Sequence, residues 1–412
     1  MKKVSMLALA FVLASKGAMA GGFSLSEYST TSLGRGFAGM GVVGDDYSAI
    51  ISNPAGMTLV KDGMQIGTSF VDIYAKLRNE LNVGEEDSLN IFSPVPSFFA
   101  QTSINDKTKV GLAFYTPYGI GTDYDKSWWG SDEALKSEII VYDLTFSGAY
   151  ELSNKLSLGA SVSTQFATAA LTNTSGSGAI YSDIHGDNSD DLTFAYTLGA
   201  MYRVDENNRY GISYRSKSKY DINGTHTLVA NVGLTSPLFG GAVSAGTKIS
   251  NIGYTTITLP ENIMLSSYHK VDDRLALSAT AKWTRWSRFH ELNIYSGLLS
   301  GYSNTIENWR DTWTFSVGAD YDYSKDWTFR LGLEVEQTPI PDDTHRTARI
   351  PDDDRRIAAL GASYKFNGGK VDFAYAHIFI DGGNAQYPNS STFNTEYDLH
   401  INMLSAAVQY YF

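Results

Sequence analysis

Between positions 140 and 150 the chain reads IVYDLTFSGAY, with apolar and polar residues alternating. Ile140, Tyr142, Leu144, Phe146 and Tyr150 share one face with Gly148. Asp143, Thr145 and Ser147 share the other with Val141 and Ala149. A period of two marks a strand with one apolar and one polar face. The segment 404–412 repeats it, with Leu404, Ala406, Val408, Tyr410 and Phe412 on one side and Ser405 and Gln409 on the other. A soluble sandwich and a lipid-facing barrel both satisfy such strands, and the connections choose between them. Six short turns, INDK (104–107), LSNK (152–155), VDENNR (204–209), KVDDR (270–274), YSKDW (323–327) and FNGGK (366–370), alternate strictly with seven long connections. The long ones lie near 78–93, 119–135, 173–190, 222–248, 287–307, 338–354 and 381–398. A transmembrane barrel has this asymmetry, with short periplasmic turns and long extracellular loops. A sandwich has no reason for it.

Counting strand-like segments gives fifteen, but 249–259 and 261–271 are separated only by Pro260. Proline cannot donate to a ladder, yet it fits a bulge or bend within one long strand. Merging the two gives fourteen, and bacterial single-chain barrels have even strand numbers. The expected fold is therefore all-β: a 14-stranded antiparallel transmembrane β-barrel with both ends in the periplasm. Past the N-terminal leader, no run of about 18 apolar residues offers a membrane helix instead.

The leader itself reads as an export signal over 1–20. Lys2 and Lys3 precede an apolar core at 6–14, and AMA (18–20) fits a small-x-small cleavage site after Ala20. Loss of Lys2, Lys3 and Lys16 leaves 29 basic against 44 acidic residues, a net charge of about −15. So acidic a chain is a poor partner for nucleic acid. It has no cysteine, which excludes disulfides and thiolate metal sites. The seven histidines are scattered without metal-ligand spacing, and no cofactor is expected.

Residues 21–62 lack strand alternation and are not needed to close the barrel, whose expected extent is 63–412. A lumen of fourteen strands is wide enough to hold such a segment as a plug, or hatch. It contains GRGFAG at 34–39, literally GxGxxG. A dinucleotide site needs that motif between a strand and a helix, and neither a preceding strand nor a βαβ unit is there. Glycines that let a plug backbone approach the barrel wall are the better reading.

Several motifs in order carry a family resemblance: GGFSLSEYSTTSLGRGFAGMGVVGDD from 21, NPAGMT (53–58), YRSKSKYDING (214–224), LPENIMLSSYHKVDDRLALS (259–278) and TPIPDDTHRTARIPDDDRR (338–356). Over 21–412 the chain resembles the FadL-type outer-membrane transporters of long-chain fatty acids and other hydrophobic compounds. The resemblance implies passive uptake: capture between extracellular loops, passage to a tighter pocket at the hatch, movement of the hatch N-terminus, and lateral exit at a kinked strand. A fatty chain gains roughly 0.8 kcal/mol per CH₂ by staying in apolar surroundings, so lateral exit is physically reasonable. It also implies roles for single residues. Phe23 matches the hatch-tip aromatic, Asn53 and Pro54 the hatch motif, and Gly119 the glycine of the kinked third strand. Arg310 falls where the family places a lysine that meets the ligand carboxylate. Asn173 stands where a second basic residue is expected, a departure that leaves room for neutral ligands.

Trp128 and Trp129 follow the third strand. They suit an interfacial aromatic girdle or, as an exposed pair, capture of a greasy ligand. Tyr410 and Phe412 resemble the terminal signal read by the outer-membrane barrel assembly machinery. The acidic runs PDD (341–343) and PDDDRR (351–356) suit a solvated surface, bridged by cations to lipopolysaccharide. The expected protein is a monomer in the outer membrane of a Gram-negative bacterium, and not an enzyme, since no GxSxG or similar nucleophile motif occurs. A general porin and a surface adhesin or phage receptor are the alternatives.

Overall fold

Gly63 of the first strand pairs with Gln101 of the second and with Tyr411 of the last, so the sheet closes on itself. The structure, a computed structural model, describes residues 22–82, 84–299, 301–386 and 393–412. The leader at 1–20 lies outside them. The first five strands are unbroken: β1 (Gly63–Asn79), β2 (Glu86–Asn105), β3 (Thr108–Asp123), β4 (Lys136–Ser153) and β5 (Leu156–Ser175). The next five each come in two pieces: β6 (Ile180–Asp187, Thr193–Arg203), β7 (Asn208–Arg215, Ser218–Ala230), β8 (Lys248–Leu259, Asn262–Lys270), β9 (Leu275–Thr284, Glu291–Ser296) and β10 (Gly301–Ile306, Thr312–Asp322). β11 (Trp327–Glu336), β12 (Arg355–Phe366), β13 (Gly369–Ile380) and β14 (Asn394–Tyr411) complete fourteen antiparallel strands.

Pro260 does interrupt one strand rather than separate two. Both pieces of β8 pair with β7, Lys248–Leu259 with Ser218–Ala230 and Asn262–Lys270 with Asn208–Arg215. All six short turns fall where the sequence places them. Four of the seven long connections are instead mostly strand, 78–93 and 222–248 among them. Most of 173–190 and 287–307 is strand likewise, with turns at 176–179 and 297–299. Each of these two polar segments folds back on itself as a hairpin above the membrane. Glu291, Asn293 and Asn304 show it, hydrogen-bonded together on an exposed face. Polarity there reads as loop but reflects strand that has left the bilayer.

The alternation is realised as lipid outside and polar groups within. Leu144, Phe146, Leu404 and Tyr410 are exposed on the outer face, and Phe412 is the most exposed of them. Asp143, Thr145, Ser405 and Gln409 are buried inward.

Residues 22–62 lie in the lumen. They form α1 (Thr30–Gly34), capped by the Ser29 hydroxyl, which accepts from Ser32 N at 3.1 Å. α2 (Ala49–Ser52) and a 3₁₀ turn (Pro54–Leu59) follow. Two of the three GRGFAG glycines, Gly34 and Gly36, meet glycines of the wall, and Gly39 faces Ser278. A Cβ on Gly34 would lie 2.8 Å from Gly361 Cα, and one on Gly332 would lie 1.8 Å from the backbone carbon of Arg35. Backbones come this close only where at least one side is glycine. Asn53 fastens the next motif. Its side-chain amide donates to Ala200 O and Ile212 O of the wall (3.2 and 3.4 Å), while its Oδ1 accepts from Ala55 N (3.2 Å). Pro54 opens the 3₁₀ turn, where a missing N–H costs nothing.

Candidate ligand path through the lumen

The β2–β3 ladder runs only from Phe98↔Phe114 to Asn105↔Thr108. Beyond it the strands part. β2 continues against β1, and β3 continues against β4. At the point of parting β3 carries a register shift between Tyr115 and Tyr118, which places Thr116 and Pro117 in a bulge. Proline has no N–H to give to a neighbour, so it is tolerated where pairing ends. The freed edge of β3 is taken by the hatch arm instead. Leu25 N donates to Pro117 O and Gly119 N donates to Phe23 O, each at 2.9 Å, with Ser24 bridged to Tyr118. Gly119 therefore works through its backbone, as a rung between strand and hatch.

Phe23 ends this arm in an aromatic box. Its ring centroid lies 5.1 Å from Trp286, 5.3 Å from Trp309 and 5.4 Å from Phe289. Trp286 and Phe289 come from the break in β9, and Trp309 from the break in β10. The arm is also held at its start, where Gly22 N donates to Asp352 Oδ2 at 3.0 Å. Asp352 is in turn paired with Arg355.

Phe23 forms part of the floor of a luminal cavity of about 460 Å³. Ile139, Leu171, Ile257 and Ile294 supply apolar wall, and Arg349 is the one Lys or Arg among its described lining residues. Arg349 Nη1 donates to Ser137 Oγ at 3.1 Å. Four acids also line the cavity: Asp132, Glu133, Glu138 and Glu307. Trp283 faces Trp313 across β9 and β10, and the outward Trp313 marks the upper girdle. Glu307, in the link 307–311, therefore stands on the extracellular side of the bilayer. Burial pushes its carboxyl up to about 8, opposed by the Trp309 indole, which donates to it at 3.0 Å, and by the charge of Arg349. Burial likewise raises Glu133, in the loop after β3. Glu307 and Glu133 are thus easier to keep neutral than freely solvated carboxylates. Below Phe23 a smaller cavity, about 60 Å³, lies against the β3 bulge at Tyr115, Pro117 and Tyr118.

The structure brings together Phe23, Asn173 and Gly119 but not the remaining candidates. Arg310 is exposed, does not line the cavity, and sends its Nε to Thr338 O at 3.4 Å. Its neighbour Trp309 is the residue turned inward. Trp128 and Trp129 are not an exposed pair. Trp128 is 2% exposed, stacked on Tyr124 at 4.1 Å and donating to Ala134 O. Trp129 donates to Thr395 Oγ1 at 2.8 Å. Folding of the loop back onto the barrel mouth gives the indoles apolar neighbours and partners for their N–H groups. The sequence does not by itself single out Trp286, Phe289 or Arg349; the first two sit in WSRF, where the period of two fails, and that failure is the available signal.

A closed fourteen-stranded barrel with its own hatch, an apolar luminal cavity and a parted wall defines an outer-membrane transport protein. The comparison with known proteins agrees. The chain belongs to the family described as Outer membrane protein transport protein (OMPP1/FadL/TodX), which matches residues 11–412. It is 30% identical over 393 residues to the long-chain fatty acid transport protein of Escherichia coli O6:H1, covering 88% of this chain and 87% of that one. It is 28% identical to outer membrane protein P1 of Haemophilus influenzae, covering 97% and 94%. The crystal structure of a Pseudomonas aeruginosa FadL homologue superposes with a TM-score of 0.85 at 25% identity, covering 94% and 99%. The toluene transporter TodX of Pseudomonas putida shares the fold, with a TM-score of 0.69 at 19% identity, covering 95% and 100%. This chain is thus an outer-membrane transporter of hydrophobic compounds, and not an enzyme.

Proposed function

We propose that the protein carries long-chain fatty acids or similarly shaped amphiphiles inward without an energy source, and releases them sideways into the bilayer between β2 and β3. The observation that carries this reading is the hatch arm. The residue that floors the luminal cavity, Phe23, is joined by backbone hydrogen bonds to β3 where the wall parts. A ligand that displaces Phe23 from its aromatic box also frees the β3 edge. Arg349 is proposed to meet the ligand head, since it is the cation in the cavity wall. A water-filled general porin is disfavoured, because the hatch is buried throughout most of its length against the wall.

A competition titration with a fluorescent fatty acid on purified protein tests this. A charge-assisted hydrogen bond contributes roughly 1.5–3 kcal/mol, so Arg349→Ala should weaken fatty-acid binding about 10- to 150-fold and scarcely affect a fatty alcohol of equal length. Arg310→Ala should change neither. Equal loss for acid and alcohol with Arg349→Ala would show that Arg349 shapes the pocket instead. Failure of the unaltered protein to bind any long-chain amphiphile would refute the substrate class.

A further inference from the structure

The cavity wall carries a second polar device, built on His226, Ser182 and Ser296. His226 of β7 is buried, with Ser296 Oγ 2.6 Å from Nδ1 and Ser182 Oγ 3.0 Å from Nε2. Ser182 and His226 line the cavity; Ser296 stands behind them. The direction of these bonds can be worked out from valence. Ser296 Oγ already accepts from Leu298 N at 3.1 Å and from Leu299 N at 3.3 Å. A hydroxyl has two lone pairs and one hydrogen. With both lone pairs engaged, the Ser296 hydrogen is donated to Nδ1. Nδ1 is then the acceptor of a neutral imidazole, and Nε2 carries the proton. Nε2–H donates to Ser182 Oγ, so the Ser182 hydroxyl keeps its own hydrogen for another partner. Asn173 lies directly across from Ser182 in the β5–β6 pairing and lines the same cavity, so the polar strip is neutral on both strands.

We infer that Ser182, oriented by His226 and Ser296, is a hydrogen-bond donor that selects hydrophobic ligands bearing an uncharged acceptor oxygen along the chain, such as a hydroxyl, ketone or ester carbonyl. Ser182 touches the ligand; His226 and Ser296 are positioning residues. The physical argument is one of specificity. In an apolar cavity a donor with no partner is costly, and a site built to hydrogen-bond an oxygen discriminates against the analogue that lacks it. This inference rests on the reading of the cavity as the ligand's path, and its test separates the two.

The test is a competition titration on the purified protein, using octadecanoic acid and a set of its mid-chain hydroxy and keto derivatives. The unaltered protein should bind at least one derivative more tightly than the parent acid. Ser182→Ala should weaken that derivative about two- to tenfold, the range of one neutral hydrogen bond, and leave the parent unchanged. Ser296→Ala, which does not reach the cavity, should act in the same direction, and Ser296→Thr, which keeps the hydroxyl, should restore the preference. Nitrogen NMR of isotope-labelled histidine, with His226→Gln to assign the signal, should show the Nε2–H tautomer in the unaltered protein and its loss in Ser296→Ala. No preference for any derivative, or equal weakening of parent and derivatives by Ser182→Ala, would overturn the inference while leaving the transport reading intact. Absence of parent-acid binding in the unaltered protein would defeat both.

Discussion

Arg35 of the hatch reaches Asp320 of β10 in the wall it packs against, Nη1 to Oδ1, at 2.9 Å. The same guanidinium grips Asp45 of the hatch with two bonds, 2.7 and 3.0 Å. Arg330 of β11 closes the ring, 2.7 Å from Asp320 and 3.1 Å from Asp45. Arg35 is only 1% exposed, so the pairs are poorly screened by solvent. Removing one partner of a buried pair typically costs about 3–5 kcal/mol, because the other charge is stranded. Arg35→Ala should therefore loosen the body of the hatch while the barrel ladders stay closed. Planar-bilayer recordings should show raised ion conductance, with the heat-modifiable band of the folded barrel retained. Arg35→Met with Asp320→Leu leaves Asp45 and Arg330 to pair and should recover part of the seal. Conductance unchanged in Arg35→Ala would mean that the ring does not hold the hatch.

Gly332 offers an independent test of the same seating through shape. No side chain fits between it and Arg35, since the added carbon would sit 1.8 Å from backbone that cannot swing aside. Overpacking costs about 1–3 kcal/mol or more. Gly332→Ala should raise conductance as Arg35→Ala does. Gly148→Ala is the control, with open space where its Cβ would go. If both alanine variants conduct alike, the hatch does not depend on close backbone approach.

Glu307 gives the cavity a pH response. Its carboxyl, ordinarily near 4.5, is pushed up to about 8 by burial. It is neutral at pH 7 and ionises as the pH rises through about 8. The folded state alone holds that proton between these values, so this group's relative contribution to stability is lost as pH rises from about 4.5 to about 8. A fatty carboxylate at Arg349 would meet a new negative charge above pH 8. Its affinity should fall about fivefold between pH 7 and 9, the effect of a ~1 kcal/mol repulsion, while a fatty alcohol shows no such step. Glu307→Gln should abolish the step. A step that persists in Glu307→Gln would assign it to another group.

The barrel was legible because its rule is local. Alternation at 140–150 and at 404–412, and the spacing of short turns, need no tertiary information to be read. The same rule explains what was misplaced. It presumes that polar stretches are loops, so the paired strands within 173–190 and 287–307 escaped it. The site was harder to read, since it forms where alternation stops. Trp286, Phe289 and Trp309 converge on Phe23 only because two strands break at the same level, a coincidence of register that no single segment encodes. Arg310 and Trp309 are chain neighbours, and which of the two faces inward depends on that break. Arg349 reaches the cavity from the connection between β11 and β12, whose path the sequence leaves open. Gly34 and Asn53, by contrast, sit in motifs whose composition already signals close backbone packing.

The central claim is that the hatch arm must leave β3 for a ligand to pass. Ser24 and Tyr118 are a bridged pair flanked by hydrogen bonds rather than joined by them. Such pairs have Cα atoms about 4.5 Å apart, within the range a disulfide spans. The chain has no cysteine of its own, so Ser24→Cys with Tyr118→Cys gives a single defined cross-link in an oxidising compartment. The measurement is uptake of a radiolabelled long-chain fatty acid by cells carrying the double variant, with and without reductant. The account predicts uptake at the level of cells lacking the protein when the bond is closed, restored by reduction, with fatty-acid binding to the purified oxidised protein retained. Uptake at the unaltered rate with the cross-link closed would contradict it.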